Sequence, residues 1–228
     1  DAQLRGVLKV VLDSSIRLVL FGPPGAGKGT QAQLLKDRLG MPHISSGDLF
    51  RYHLRQGTEL GQRAAEYMNQ GRLVPDEVTI GIILDEVLGL PDEKGFILDG
   101  FPRTTDQAKA LEEALETKSR PMDKVVFINV PEEELLKRLS GRYICRNCQA
   151  PHTSTDGEEP ARCTKCGGEL YQREDDRPEA VKRRIQVYRD ETLPVLEFYG
   201  ERGLLVDVPG VGSVECVQQR ILDALRQD

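Results

Sequence analysis

The chain has 228 residues, room for one domain with insertions or two small domains, and its 39% hydrophobic and 30% charged content is ordinary for a soluble globular protein. A net charge of −6 argues against broad nucleic-acid binding, so any basic groups that handle phosphates must be gathered locally. The apolar runs are far too short to cross a membrane, so no membrane association is expected.

Residues 1–15 are read as an extension, and no function is assigned to them. The apolar stretch 7–12 is interrupted by Lys9 and followed by Asp13, which makes a poor signal peptide. The run 17–21 is apolar and strand-like, and it leads straight into Gly22-Pro-Pro-Gly-Ala-Gly-Lys-Gly-Thr30. A buried strand, a Gly-rich turn and then a helix is the context of a phosphate-binding loop. The glycines let successive N–H groups curl around an anion, and Lys28 adds a point charge for β- and γ-phosphates. The helix expected over 31–39 aims its N-terminus at the same phosphates. Such loops ordinarily carry Ser or Thr directly after the Lys as a Mg²⁺ ligand, whereas here Gly29 intervenes before Thr30. The metal is then held by phosphates, waters and a carboxylate, which points towards small-molecule kinases.

Further strands are expected at 43–44, 95–98, 124–130 and 204–208, separated by helical stretches. That alternation predicts an α/β fold with a parallel sheet covered on both faces and ligands beyond the carboxyl ends of its strands. Two stretches break the rhythm. One runs from Gly47 to about Leu90, strand-free and helical, with turn signals at Gly57, Gly61 and Gly71. The other, 142–173, holds four cysteines and many turn formers. Both are read as insertions over the ligand edge. The stretch 178–203 is helical in pattern, with Pro194 as a break or kink.

Asp99 leaves a buried strand beside the phosphate loop, where it suits the water shell of Mg²⁺; capping the next turn is the alternative. Arg51, Arg103, Arg138, Arg142, Arg173, Arg183 and Arg184 stand near strand ends or inside the insertions, with Arg138 and Arg142 expected on one helix face. Several guanidinium forks together can track the charge of a phosphoryl group in flight. Cys145-x-x-Cys148 and Cys163-x-x-Cys166 form two knuckles suited to one tetrahedral Zn²⁺, with redox pairs or free thiols as alternatives. Four thiolates leave no open position, so the metal's role is structural, and such cysteines belong in a reducing, cytoplasmic compartment. Cys216 is expected to be a small buried apolar group. Thr104 to Gln107 can form a capping box in which Gln107 reaches back to the Thr104 N–H, and Asp176 can likewise cap the helix at 178. The three histidines, His43, His53 and His152, have no ligand or triad spacing.

These motifs together resemble the adenylate kinases of the long-lid bacterial type, from about Arg17 to the C-terminus. The resemblance is carried by residues 22–31, 45–51, 71–77, 98–104, 135–142, the cysteine segment and 175–184. It implies the P-loop nucleoside monophosphate kinase fold, a five-stranded parallel sheet flanked by helices, in a core spanning 16–228. Two mobile subdomains would be inserted, 45–75 over AMP and 138–175 as a zinc-bearing lid over ATP. The implied reaction is ATP + AMP = 2 ADP, by a monomer, with Mg²⁺ accompanying ATP. Gly25, Ala26, Gly27, Lys28, Gly29, Thr30, Arg138, Arg142 and Asp175 would bind ATP. Ser46, Gly47, Arg51, Gly100, Arg103, Gln107, Arg173 and Arg184 would bind AMP, with Gln107 reading the adenine edge. Lys28, Asp99, Arg103, Arg142, Arg173 and Arg184 would serve the transfer itself. Competing readings are a related kinase using GTP, CMP or UMP, or a nucleotide-binding regulator without turnover.

Overall fold

The computed structural model describes residues 14–154 and 162–226, so the reading of 7–12 lies outside the described residues. The elements in order are β1 (Arg17–Phe21), α1 (Lys28–Leu39), β2 (His43–Ser45), α2 (Ser46–Arg55), α3 (Glu59–Met68) and α4 (Asp76–Leu88). Next come β3 (Phe96–Asp99), α5 (Thr105–Thr117), β4 (Lys124–Asn129) and α6 (Glu132–Ser140). The chain continues through β5 (Arg142–Cys145), β6 (Pro151–Thr153), β7 (Leu170–Tyr171), α7 (Pro178–Val187), α8 (Pro194–Gly200), β8 (Leu205–Pro209) and α9 (Val214–Ala224).

The main sheet is five-stranded and parallel, in the order β2-β3-β1-β4-β8. Its strands lie where the apolar runs put them, to within one residue at either end. Alternation explains how such runs serve a sheet covered on both sides. Leu18 and Leu20 of β1 join the core under α1 and α9. Val19 and Phe21 join the opposite core, under α4, α5 and α8. β1 is central, and its neighbours β3 and β4 come later in the chain. The crevice past its carboxyl end is therefore the switch point at which doubly wound sheets take ligands. α1 begins at Lys28, three residues before its expected start, and ends at Gly40 in the left-handed region, φ 67°.

α2 and α3 enclose a small core of their own, with Phe50, Ala64 and Val74 buried against Leu60, Tyr67 and Met68. Gly61 was expected to mark a turn, but it lies inside α3. Its function is close approach: a Cβ there would sit 2.2 Å from the His53 carbonyl carbon and the Leu54 nitrogen of α2. Gly57 and Gly71 do turn the chain, at φ 66° and 70°.

The cysteine segment folds as a second sheet, antiparallel, in the order β6-β5-β7. Its strands are two to four residues long, too short to give a period. Arg138 and Arg142 do not share a helix face. Gly141 ends α6, so Arg142 opens β5 instead. Between α7 and α8 the helix widens to a π segment over Tyr188–Thr192, where the Leu193 N–H bonds the Tyr188 carbonyl at 2.9 Å. Pro194, which has no N–H to offer, follows at once. Cys216 is exposed, not buried, because it falls in the first turn of α9 on the face turned from the core. Among the described residues no helix is long and apolar enough to cross a membrane.

Candidate active site

β1 delivers the chain into a loop whose Gly25 and Gly27 take φ of 85° and 94°, open to glycine at no steric cost. Lys28, the first residue of α1, folds back over this loop and donates to the Gly22 and Pro23 carbonyls at 2.8 and 3.0 Å. Lost hydration lowers its pKa to about 8; Asp99 opposes that shift, while Arg103, Arg184 and Arg142 add to it. Gly25, Ala26, Gly27, Lys28, Gly29 and Thr30 all line one cleft of about 1030 Å³.

The neighbouring strand ends furnish the second wall. Asp99 closes β3, with its carboxylate 3.6 Å from the His43 ring. Burial opposes its ionisation, but the His43 ring, the Lys28 ammonium and Arg103 outweigh that and hold the carboxyl below its ordinary range. A Cβ at Gly29 would lie 3.4 Å from Asp99 Oδ2, so the residue after the lysine faces this carboxylate with no side chain between. Gly100, at φ 75°, aims its carbonyl at two donors: Ser46 Oγ at 2.6 Å and Arg103 Nε at 2.7 Å. Arg51 lies across Gly47, where a Cβ would meet its Nη2 at 2.8 Å, and donates to Asp48 at 2.6 Å.

Arginines from distant parts of the chain converge on the same cleft, which Arg51, Arg103, Arg138, Arg142, Arg173 and Arg184 all line, together with Asp175. Loss of water, then the Arg184 charge, draws the Arg103 pKa down to about 10. Loss of water, then Arg51 and Arg142, does the same for Arg173, again to about 10. The buried Nε of Arg51 and of Arg173 have no hydrogen-bond partner among the described residues. Such a cluster of mutually repelling cations has the chemistry to take an anion, since phosphate oxygens would satisfy the free donors and offset the repulsion. Two carboxylates hold part of it together. Asp176, fully buried, accepts from Arg142 Nε at 2.8 Å and Arg184 Nη1 at 2.9 Å, with Arg142 Nη2 on its other oxygen edge. Asp175 pairs with Arg184 at 3.2 Å; burial opposes its ionisation, but the surrounding arginines prevail and lower its pKa. Asp176 is thus no helix cap: the residue at that position is Arg177, and among the described residues no side chain caps α7. Arg138 stands at the far end of the cleft, where it donates to the Gly210 carbonyl at 3.1 Å and to Glu134 at 3.0 Å.

Gln107 is buried in the first turn of α5 and also lines the cleft. Its Oε1 accepts from the Arg103 N–H at 2.8 Å, one residue further back than a capping box would place it. Its Nε2 donates to Asp76 Oδ1 at 2.7 Å, and the Thr104 hydroxyl donates to Asp76 Oδ2 at 2.7 Å.

The four cysteines stand together, with their Sγ atoms all within 4.8 Å of one another, and Cys148 lines the cleft. Sγ pairs 145–166 and 148–163 are both 3.5 Å apart. A tetrahedral ion with Zn–S bonds of about 2.3 Å has S···S edges of about 3.8 Å, so the donor set fits Zn²⁺. Glycine is required at 168, where a Cβ would meet Cys145 Sγ at 2.9 Å. The Cys148 N–H draws the Cys145 thiol down to about 6. The Gly168 N–H pulls Cys166 the same way, but Cys148 and Cys145 outweigh it and push that thiol up to about 12. His152, whose spacing gives no ligand or triad pattern, stands outside the four-sulfur group but has its Nε2 3.2 Å from Cys163 Sγ. The pairing of β5 with β6 puts it there, and no spacing along the chain announces that contact.

A family model described as adenylate kinase matches residues 20–204. The chain is 49% identical over 216 residues to an adenylate kinase of Streptomyces avermitilis, covering 93% of this chain and 98% of that protein. It is 50% identical over 209 residues to an adenylate kinase of Archaeoglobus fulgidus, covering 90% and 96%. It is also 50% identical over 212 residues to one of Desulfitobacterium hafniense, covering 92% and 98%.

Proposed function

The chain belongs to the adenylate kinase family, and we propose that the cleft of β1, β3 and the lid strands is where it carries out ATP + AMP = 2 ADP. It is a nucleoside monophosphate kinase. The observation that carries the reading of the site is the convergence of Lys28 with Arg51, Arg103, Arg142, Arg173 and Arg184 on one cleft.

In this reading the loop N–H groups of 25–30 and Lys28 hold the ATP β- and γ-phosphates. Arg138 stacks on the ATP adenine beside the Gly210 loop, and Asp175 hydrogen-bonds near the ATP. Ser46, Gly47, Gly100, Arg51 and Arg103 hold AMP, and Gln107 meets its base. Arg142, Arg173 and Arg184 surround the phosphoryl group between the two nucleotides. An AMP phosphate oxygen attacks the γ-phosphorus in line; the new P–O bond forms as the bond to the β-phosphate oxygen breaks, and ADP leaves on either side. The attacking oxygen is already anionic, so no general base is needed, and positioning with electrostatic stabilisation carries the rate. Water would compete as acceptor, so α2–α3 and the β5–β7 sheet act as the two covers that exclude it.

Adenylate kinases work on Mg²⁺-ATP, and the ion supplies charge neutralisation across the β- and γ-phosphates. Asp99, kept ionised beside Gly29, is the carboxylate that would hold its water shell. We assign the Cys145, Cys148, Cys163 and Cys166 cluster to one structural Zn²⁺, closed to substrate and outside the chemistry. Cysteines kept as metal ligands instead of disulfides suit a reducing cytoplasm. Every side chain the cleft needs comes from one chain, which suits a monomer. A coupled assay with ATP and each nucleoside monophosphate in turn tests the assignment. AMP is expected to be phosphorylated far better than GMP, CMP or UMP; equal turnover of CMP would overturn it.

A further inference from the structure

A glutamine amide has two ends of nearly equal shape and opposite chemistry, an acceptor and a donor. At Gln107 two neighbours choose between them. The end facing the Arg103 N–H, at 2.8 Å, must be the oxygen. The end facing the Asp76 carboxylate, at 2.7 Å, must be the nitrogen. A flipped amide would set donor against donor at Arg103 and acceptor against acceptor at Asp76. The Thr104 hydroxyl keeps that carboxylate in place by bonding its other oxygen at 2.7 Å. Gln107 is 1% exposed, so water cannot relieve a wrong pairing.

After these bonds the amide retains one lone pair on Oε1 and one hydrogen on Nε2, side by side, and Gln107 lines the cleft. A fixed acceptor–donor order complements the edge of a 6-amino purine, which presents an amine and a bare ring nitrogen. It mismatches a 6-oxo purine, which presents a carbonyl and a ring N–H, the reverse order. An amide free to flip would serve both.

We propose that Asp76 is a positioning residue that locks the Gln107 amide and so sets the preference for 6-amino over 6-oxo purine monophosphates. The inference rests on the reading of Gln107 as the residue that meets the acceptor base. Asp76 touches no substrate in this account; it acts only through Gln107.

Inosine monophosphate is the probe, because it differs from AMP only along the edge in question. Steady-state kinetics of the full chain at saturating ATP give kcat and KM for AMP and for IMP in wild type, Asp76→Asn and Gln107→Ala. An asparagine amide can pair with either end of Gln107, so Asp76→Asn is expected to raise the IMP-to-AMP ratio of kcat/KM about tenfold, the weight of one buried hydrogen bond. The change should lie in the two acceptor KM values, with the KM for ATP unmoved. A merely structural role would lower both acceptors together and leave the ratio unchanged, and that result overturns the proposal. Gln107→Ala separates the two levels. If it shifts the ratio and Asp76→Asn does not, Gln107 reads the base and Asp76 does not orient it. If neither shifts the ratio, the reading of Gln107 falls and the proposal with it. Should Asp76→Asn not fold, as judged by thermal denaturation, Asp76→Ala removes the carboxylate that selects the nitrogen end of Gln107, and the same rise in the ratio is expected of it.

Discussion

Asp176→Asn removes the fully buried carboxylate that joins Arg142 of β5 to Arg184 of α7. The substitution keeps the shape and takes away the charge. Arg142 bonds both oxygens of Asp176 and Arg184 shares one of them, so an asparagine keeps one acceptor oxygen and its NH₂ faces an Arg142 nitrogen either way. Breaking a buried ion pair by neutralising one partner costs about 3–5 kcal/mol. Arg142 and Arg184 keep 20% and 19% of their side-chain surface, and Asp175 remains 3.2 Å from Arg184, so the lower end applies. At about 3 kcal/mol, a chain of this size should melt roughly 6–12 °C lower. Nucleotide supplies the second half of the test. The phosphates of ATP would replace the missing negative charge, so ATP should raise the melting temperature of Asp176→Asn by more than it raises that of the wild type. Differential scanning calorimetry with and without ATP reads both numbers. A variant that melts within about 1 °C of wild type, with the same ATP shift, would refute the claim that Asp176 offsets mutual repulsion of the cleft arginines.

The pH dependence of kcat/KM for ATP should fall with an apparent pKa of about 8 as Lys28 loses its proton, and in kcat the fall should move to higher pH because bound phosphates favour the charged lysine. A profile flat to about pH 9.5 would contradict that assignment. The sign for stability is opposite. Between about 8 and 10.5 the unfolded chain keeps this proton and the folded chain has lost it, so the Lys28 contribution to stability of the nucleotide-free protein rises with pH across that window. Cys148→Ser should abolish stoichiometric zinc by metal analysis and lower the melting temperature, while the folded fraction keeps measurable activity; full metal retention would rule out the four-sulfur site. Gly61→Ala sets a methyl 2.2 Å from the α2 backbone, so α2 and α3 must part by about 1 Å, at a cost of about 1–3 kcal/mol. The KM for AMP should rise with the KM for ATP unchanged, and an unaltered melting curve would show that the crossing is looser than its geometry.

What the sequence discloses here is what depends on near neighbours. The phosphate loop is legible because strand, glycines, lysine and helix lie within 23 residues, 17–39. The cysteine knuckles are legible because each pair is closed by a turn of its own. The central strands β1, β3 and β4 are legible because a strand buried on both faces is largely apolar, while β2 and β8 carry His43, Ser45 and Asp207 and show only as short apolar runs between helices. What depends on distant partners is not. Asp176 reads as a cap, and only folding brings it to Arg142, 34 residues away. Asp76 carries no role that the sequence announces, because only folding sets Gln107 of α5 against it. Gly61 reads as a turn because a glycine needed for helix crossing and one needed for positive φ look alike. Arg142 was expected on a helix because one glycine, Gly141, decides where α6 stops.

The most direct test of the reaction is its stoichiometry, followed by ³¹P NMR in a mixture of ATP, AMP and Mg²⁺. Two molecules of ADP should appear for each ATP consumed, with no inorganic phosphate, and ATP alone should stay intact. Release of inorganic phosphate in step with ADP, whether or not AMP is present, would contradict an enzyme built to exclude water from the transfer.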